Sequence, residues 1–477
     1  SVEFVLLRLW NGTVVLILPQ IERVCGMLFS SFEFLFRFLP VFLVIYYLTP
    51  KKFRNVTLLG GSIVFYTIGE AGYITILLAC VLVNYTLTRL MYRKNTDGRG
   101  IRQKRLLLLA LGYDLGVLFF FKYSGLASGL PLGISFYTFQ IMAYVIDVYR
   151  GRIPAEQSLL RLGTYLTMFP QLISGPITNY ADVRVALGRE RTIKARQLEE
   201  GMKLLIIGLA AKVVIADRIG TLWNSIRMIG FDSISTKLAW MGAFAYSLQL
   251  YFDFAGYSMM ARGIGKMLGF ELPVNFRYPY ISKSVTEFWR RWHITLGRWF
   301  REYVYIPLGG NRKGKARTFF NLFVVWSLTA LWHGANYNFL IWGGILLCCL
   351  LVEKLFLLRL LDKSRVIGHL YVLFVVPLSW VAFAVTDLSE LGVYMTRLFP
   401  FAGHAAGVIN HLDYLKYLND YAPLFLLGVL FATPLPETCY RLIERKWIGR
   451  VILLGIFGLC MYYLAVSANN PFLYFNF

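Results

Sequence analysis

Repeated apolar runs restrict this chain to one class of fold. They fall at 33–48, 57–69, 71–88, 106–121, 131–149, 202–217, 238–258, 318–334, 337–358, 367–386, 422–434 and 449–467. Most approach the ~20 residues that a helix needs to cross a ~30 Å hydrocarbon core. Only 16% of residues are charged and 57% are hydrophobic, whereas soluble domains carry about 25% charge. The expected fold is an all-α polytopic membrane protein, because isolated helices satisfy their own backbone in lipid. No hydrophilic block is long enough for a separate globular domain. The domain reading is one membrane domain over 27–477, preceded by an extension at 1–26. Met27 opens the first apolar stretch and reads as a natural start, and no small-residue cleavage site follows that stretch.

Charge gives the orientation. The chain has 49 Lys+Arg against 26 Asp+Glu, a formal charge of +23. Basic clusters fall at 51–54, 93–105, 150–152, 184–196, 290–317, 354–365 and 441–450. Positive loops face the cytosol. All the clusters share that side if the run 159–177, interrupted by Pro170, Gly175 and Pro176, enters and leaves by one face. It is therefore read as re-entrant, which places the loop near 388–421 and the C-terminus outside. The excess charge suits anionic headgroups of the bilayer or an acidic carrier. No motif supports nucleic-acid binding.

Cys80, Cys348, Cys349 and Cys460 lie in apolar runs, while Cys25 and Cys439 lie near segment ends. No CxxC or Cys/His spacing predicts a metal site or a disulfide framework. No GxSxG elbow or Walker A loop occurs, and Gly263-Ile264-Gly265-Lys266 follows no strand and is set aside.

Two histidines carry the chemical signal. "VTEFWRRWHITLGRWFREYVYIPLGGNRKGKAR", 285–317, interleaves Trp and Phe with Arg and contains His293. It reads as an amphipathic segment at the cytosolic surface, followed by a flexible basic loop able to hold a phosphate-rich ligand. His333 follows the run "NLFVVWSLTALW". A titratable ring at membrane depth marks a functional site by default. Burial favours the neutral imidazole, a competent general base. Gly334 and Ala335 are small enough for a substrate to approach. His369, His404 and His411 lack comparable surroundings. Asp253, in "LQLYFDFAGYSMMA", either lines a cavity or accepts a structural hydrogen bond.

"NFRYPYISKSVTEFWRRWHITLGRWFREYVYIPLGGNRKG" (275–314) and "LWHGANYNFLIWG" (331–343) resemble the membrane-bound O-acyltransferase family, in its bacterial alginate O-acetyltransferase branch. "LPLGISFYTFQIMAYVIDVYRG", "MFPQLISGPI", "AKVVIADRI", "LQLYFDFAGYSMMA" and the closing "NNPFLYFNF" extend the likeness in the same order. Residues 1–26 are not covered. The resemblance implies a ring of about 11–12 helices around a thinned central funnel, with 275–344 as its catalytic core. It implies His333 and His293 as catalytic residues. It further implies that Arg290, Arg291, Trp292, Asn311 and Arg312 bind the donor. Asp253, the Gly256-Tyr257 pair and Asn336 would line the cavity. No metal and no tightly bound cofactor is expected, with acetyl-CoA or an acyl-carrier thioester as co-substrate. The expected acceptor is an extracytoplasmic polysaccharide or an acetyltransferase partner, and the expected location is the bacterial inner membrane. A D-alanyl-transferring relative is set aside because "YIPLGGNRKG" looks like the acetyl branch. The competing readings are a proton-coupled transporter and a scaffold of a polysaccharide export complex.

Overall fold

The computed structural model describes residues 9–10, 13–14, 27–92, 100–126, 129–173, 175–402, 410–444 and 446–466. Cys25, Arg93, Lys94, Arg99, His404, the closing 469–477 and most of 1–26 lie outside them. Within the extension, β1 (Leu9–Trp10) pairs antiparallel with β2 (Thr13–Val14). All other described elements are helices.

In chain order they are α1 (Leu39–Leu48), α2 (Arg54–Glu70), α3 (Ile74–Met91), α4 (Ile101–Tyr123), α5 (Ile134–Tyr149), α6 (Leu159–Thr167) and α7 (Phe169–Leu172). Then come α8 (Tyr180–Gly188), α9 (Ala195–Ala210), α10 (Asp217–Ile229), α11 (Thr236–Met267), α12 (Val285–Arg291), α13 (Ile294–Phe300) and α14 (Gly314–His333). The last are α15 (Tyr337–Val352), α16 (Leu358–Leu361), α17 (Arg365–Ala384), α18 (Leu388–Leu398), α19 (Asp413–Phe431), α20 (Leu435–Arg441) and α21 (Trp447–Val466).

Five stretches among the described residues are long and apolar enough to cross a membrane: Lys51–Met91, Ile101–Tyr123, Tyr337–Leu361, Arg365–Ala384 and Trp447–Val466. Asp413–Phe431 with Leu435–Arg441, bent by 68°, makes up to six. This is fewer than the expected runs, for physical reasons. α1 continues a π-helical stretch, Glu33–Phe38, without a break, and even so the 33–48 helix, like 16-residue α5, falls short of a full crossing. α11 has 32 residues but buries Ser247, Asp253 and Ser258, so it faces protein and its mean hydropathy falls. The 57–69 and 71–88 runs lie in α2 and α3. These flank a break at Glu70, whose backbone leaves the helical region (φ −152°, ψ 77°).

The run 159–177 is not a span. Nine-residue α6 rises only ~14 Å, and Met168 (ψ 110°) separates it from four-residue α7. Tyr165, Leu166, Met168, Phe169 and Leu172 are fully buried. Tyr165 Oη donates to the carbonyls of Gln140 and Thr178. Irregular backbone at membrane depth has to be enclosed by protein in this way.

α9 and α11 pack face to face on small residues. A Cβ on Gly208 would stand 2.6 Å from the Gly256 carbonyl, and one on Gly263 would stand 2.5 Å from that of Gly201. Such close backbone approach replaces the hydrophobic drive that lipid does not supply. The Gly263-Ile264-Gly265-Lys266 run is part of this seam. One turn beyond the Gly208–Gly256 contact, Lys212 Nζ lies 2.7 Å from Asp253 and 2.5 Å from Asp217.

Candidate active site

The site is built on a short irregular segment between α11 and α13. Residues 275–277 run beside 291–294: Ile294 N–H donates to the Asn275 carbonyl and Arg277 N–H to the Arg291 carbonyl, both at 2.9 Å. α12 starts where Ser284 Oγ accepts from Glu287 N–H at 3.0 Å, a conventional N-cap. Buried Glu353, just beyond α15, completes this end by accepting from Val285 N–H at 2.5 Å and Thr286 N–H at 2.9 Å. α12 ends at Trp292, and His293 turns the chain with a left-handed backbone (φ 42°, ψ 53°) before α13.

His293 is 2% exposed. Its Nδ1 is 3.1 Å from Asn275 Oδ1, and its Nε2 has no partner among the described residues. Phe254 meets the ring edge-on at 4.8 Å, with Phe136 and Trp332 at 6.3 Å. Burial among these rings lowers its pKa to about 3, against a smaller opposing backbone hydrogen bond.

His333 is the last residue of α14 and is 5% exposed. The expected run ended at 334, so sequence placed it correctly at a helix end. Burial comes from its neighbours. Trp332, Trp342, Phe383 and Phe339 stand 4.7, 4.9, 5.1 and 6.1 Å from its ring. Trp332 thus contacts both histidines, and its own Nε1 is unpartnered among the described residues. Gly334 does not leave space for a ligand, because a Cβ there would stand 2.4 Å from the Phe339 ring. Its smallness admits that ring.

Several supports were missed by sequence. Lys122 Nζ, at the end of α4, donates to the Trp332 carbonyl, and Tyr123 Oη donates to that of Leu331. They satisfy carbonyls that a helix end leaves unpaired, and Lys122 puts a cation at the negative end of the α14 dipole. Its signal was a lone lysine in "LFFFKY". Buried Asn338 donates from Nδ2 to the carbonyls of Ala382 and Phe383 at 3.2 and 2.9 Å, tying α15 to the end of α17 that walls His333. Phe339 and Trp342, three apart on α15, were readable as one helix face.

The expected donor-binding residues divide. Arg290, Asn311 and Arg312 are exposed. Arg291 is held by Glu287 at 2.8 Å and donates to the Arg277 carbonyl. Trp292 is 1% exposed and is core, packed on Trp380 at 4.9 Å and Phe276 at 5.1 Å. The loop expected to be flexible is an ordered turn. Gly309 and Gly310 hold left-handed backbone (φ 108° and 56°), which glycine adopts without steric cost. Asn321 Nδ2 and Arg317 Nε donate to the Gly310 and Leu308 carbonyls.

Of the residues expected to line the cavity, three have protein partners and one is exposed. Asp253 pairs with Lys212, Gly256 packs on Gly208, and Tyr257 Oη lies 3.2 Å from Ser30 Oγ. Asn336 is exposed at the start of α15. Among the described residues, no three His, Cys, Asp or Glu side chains are grouped to hold a metal ion.

Comparison with known proteins gives this arrangement its family. Residues 63–366 match the profile of MBOAT, the membrane-bound O-acyltransferase family. A probable alginate O-acetylase, AlgI, of Pseudomonas putida is 35% identical over 94% of this chain and 100% of that protein. A probable alginate O-acetylase AlgI of Pseudomonas aeruginosa is 38% identical over 81% of this chain and 78% of its own length. The peptidoglycan O-acetyltransferase of Helicobacter pylori is 30% identical over 96% of this chain and 99% of its own length. The profile covers both histidines and the α9–α11 seam, and the chain therefore belongs to the membrane-bound O-acyltransferase family, as a multi-pass all-α O-acyltransferase.

Proposed function

We propose that this protein moves an acetyl group from a cytosolic thioester to a hydroxyl outside the bacterial inner membrane. The observation that carries this is the pairing of His293 and His333, both buried and both in contact with Trp332. The similar alginate and peptidoglycan O-acetyltransferases favour acetyl as the group and a cell-envelope polymer as the destination. The acceptor is that polymer, or an extracytoplasmic acetyltransferase that completes the transfer.

The donor is acetyl-CoA or an acetylated carrier protein. Arg290, Arg312, Lys313, Lys315 and Arg317 are exposed beside the site segment and offer cations to a phosphate-rich donor or an acidic carrier. His333 takes the proton of the acceptor hydroxyl as the oxygen attacks the thioester carbonyl. The C–S bond breaks, the ester forms, and the thiolate leaves with the proton returned by the imidazolium. The aromatic walls exclude water, which would otherwise hydrolyse the thioester.

General-base help of this kind is worth roughly 10²–10⁴-fold. The test is release of label from acetyl-CoA and from an acetylated carrier by purified protein in nanodiscs, with and without an acceptor. His333→Ala should lower turnover by that factor while the thermal unfolding profile is retained. Native turnover in a folded His333→Ala protein would overturn the assignment.

A further inference from the structure

The hydrogen bonds around His293 fix which of its nitrogens carries the proton. Thr295 N–H can only donate, and it reaches Asn275 Oδ1 at 3.3 Å. That atom is therefore the amide oxygen. Thr295 Oγ1 accepts from Ile177 N–H at 3.0 Å and turns its own proton onto the same Oδ1 at 3.0 Å. His293 Nδ1 is the third group on this oxygen, at 3.1 Å. An amide oxygen has no proton to give, so Nδ1 must carry one. Nε2 then holds a lone pair, in a ring 2% exposed, without a partner among the described residues. Asn275 is itself 1% exposed, so its Oδ1 is out of competition with water. The left-handed backbone at His293 (φ 42°) is what carries the ring back over Asn275. A backbone held in a sparsely populated region persists only where its surroundings over-determine it.

We propose that Asn275 is a positioning residue that locks His293 in the Nδ1–H tautomer and so presents Nε2 as a fixed hydrogen-bond acceptor for an N–H or O–H group of the substrate. The substrate half of this rests on the acyl-transfer reading above. The accepting ring is neutral, because burial among Phe136, Phe254 and Trp332 disfavours its charged form. The two histidines then divide by hydrogen bonding rather than by burial: His293 is tied through Nδ1 to Asn275 and orients a partner, and His333 moves the proton. Two sources supply the donor group. One is an amide N–H of a pantetheine-type donor arm, and the other is the acceptor hydroxyl.

The test is the nitrogen NMR spectrum of histidine-labelled full-length protein in nanodiscs, with His293→Gln to assign the signal. The expected result is a protonated Nδ1 and a bare Nε2 for His293, replaced in Asn275→Ala by a mixture or by the opposite tautomer. A protonated Nε2 in the native protein overturns the proposal. So does an unchanged single Nδ1–H signal in Asn275→Ala. The spectrum needs no turnover, so it decides the tautomer whatever becomes of the acyl-transfer reading. Kinetics decide the substrate half. If Nε2 takes the donor amide, Asn275→Ala raises KM for acetyl-CoA about tenfold and leaves a simple alkyl thioacetate unaffected. If it takes the acceptor hydroxyl, kcat/KM falls by a similar factor with both donors. Equal turnover of native and Asn275→Ala with both donors, or no turnover by the native protein with any donor, overturns the substrate half.

Discussion

Replacing Gly208 by Ala tests the seam on which the site rests. A Cβ there would lie 2.6 Å from the Gly256 carbonyl and 2.8 Å from Met260 N, where ordinary contact starts at 3.4 Å, so α9 and α11 must part by about 0.8 Å. Neither neighbour can rotate aside, because both are backbone. Overpacking of this kind costs roughly 1–3 kcal/mol. Ala over Gly within a helix returns roughly 0.5–1 kcal/mol. The clash wins, and a net loss of about 1–2 kcal/mol is expected. The same parting stretches the 2.7 Å Lys212–Asp253 pair, which lies one turn along. Gly60→Ala on α2 is the control, since a Cβ there meets nothing within 4 Å. The assay is thermal or denaturant unfolding in nanodiscs, followed by tryptophan fluorescence. Gly208→Ala should melt several degrees below native and Gly60→Ala at or above it. Equal midpoints for the two variants would refute the close-packed seam.

Lys212→Met should cost roughly 3–5 kcal/mol, because it leaves buried Asp253 and partly buried Asp217 without their shared cation; the triple variant Lys212→Met, Asp217→Asn, Asp253→Asn should recover part of that loss in the same melt. Glu353→Ala should lose roughly 1–3 kcal/mol, chiefly from the buried Val285 N–H left without an acceptor, with part-buried Thr286 N–H adding less, and should lower turnover because α12 leads into His293; a folded, fully active variant would show that α12 needs no such cap. Acid should also destabilise the fold through His293. The unfolded ring binds a proton below its usual value of 6.5, whereas the folded ring, held at about 3, does not. Stability from this group is therefore complete above pH 6.5 and lost as pH falls towards 3, at about 1.4 kcal/mol per pH unit. His293→Phe should flatten that limb of a denaturation-versus-pH series, and an unchanged slope would contradict the buried neutral ring.

The membrane class was legible from the apolar runs, since backbone in lipid permits few alternatives. The helix end at His333 and the amphipathic 285–317 segment were legible from local pattern. What surrounds them was not. Phe383 reaches His333 from α17, Lys122 reaches Trp332 from α4, and Glu353 caps α12 from 68 positions away. Such pairings join elements distant in sequence and leave no periodicity to read. Asp253 stood out as a carboxylate in an apolar run, but its partner Lys212 lies on another helix, so a cavity role and an ion-pair role looked alike. Trp292 was expected to bind the donor because it stands among the arginines of an amphipathic segment. Its ring follows the buried face of α12 instead. The run 238–258 looked like the others, but α11 carries Ser247, Asp253 and Ser258 on buried positions and so has a lower mean hydropathy than the five apolar stretches.

In the function proposed, an acetyl group passes from one side of the membrane to the other at His333. Sealed vesicles holding the protein in one orientation test this directly, with labelled acetyl-CoA supplied only to the cytosolic face and a hydroxylated acceptor enclosed on the other. The account predicts labelled ester on the enclosed acceptor from the native protein and at least about a hundredfold less from folded His333→Ala. Label that appears only on acceptor sharing the donor's side, or equally with His333→Ala, would contradict it.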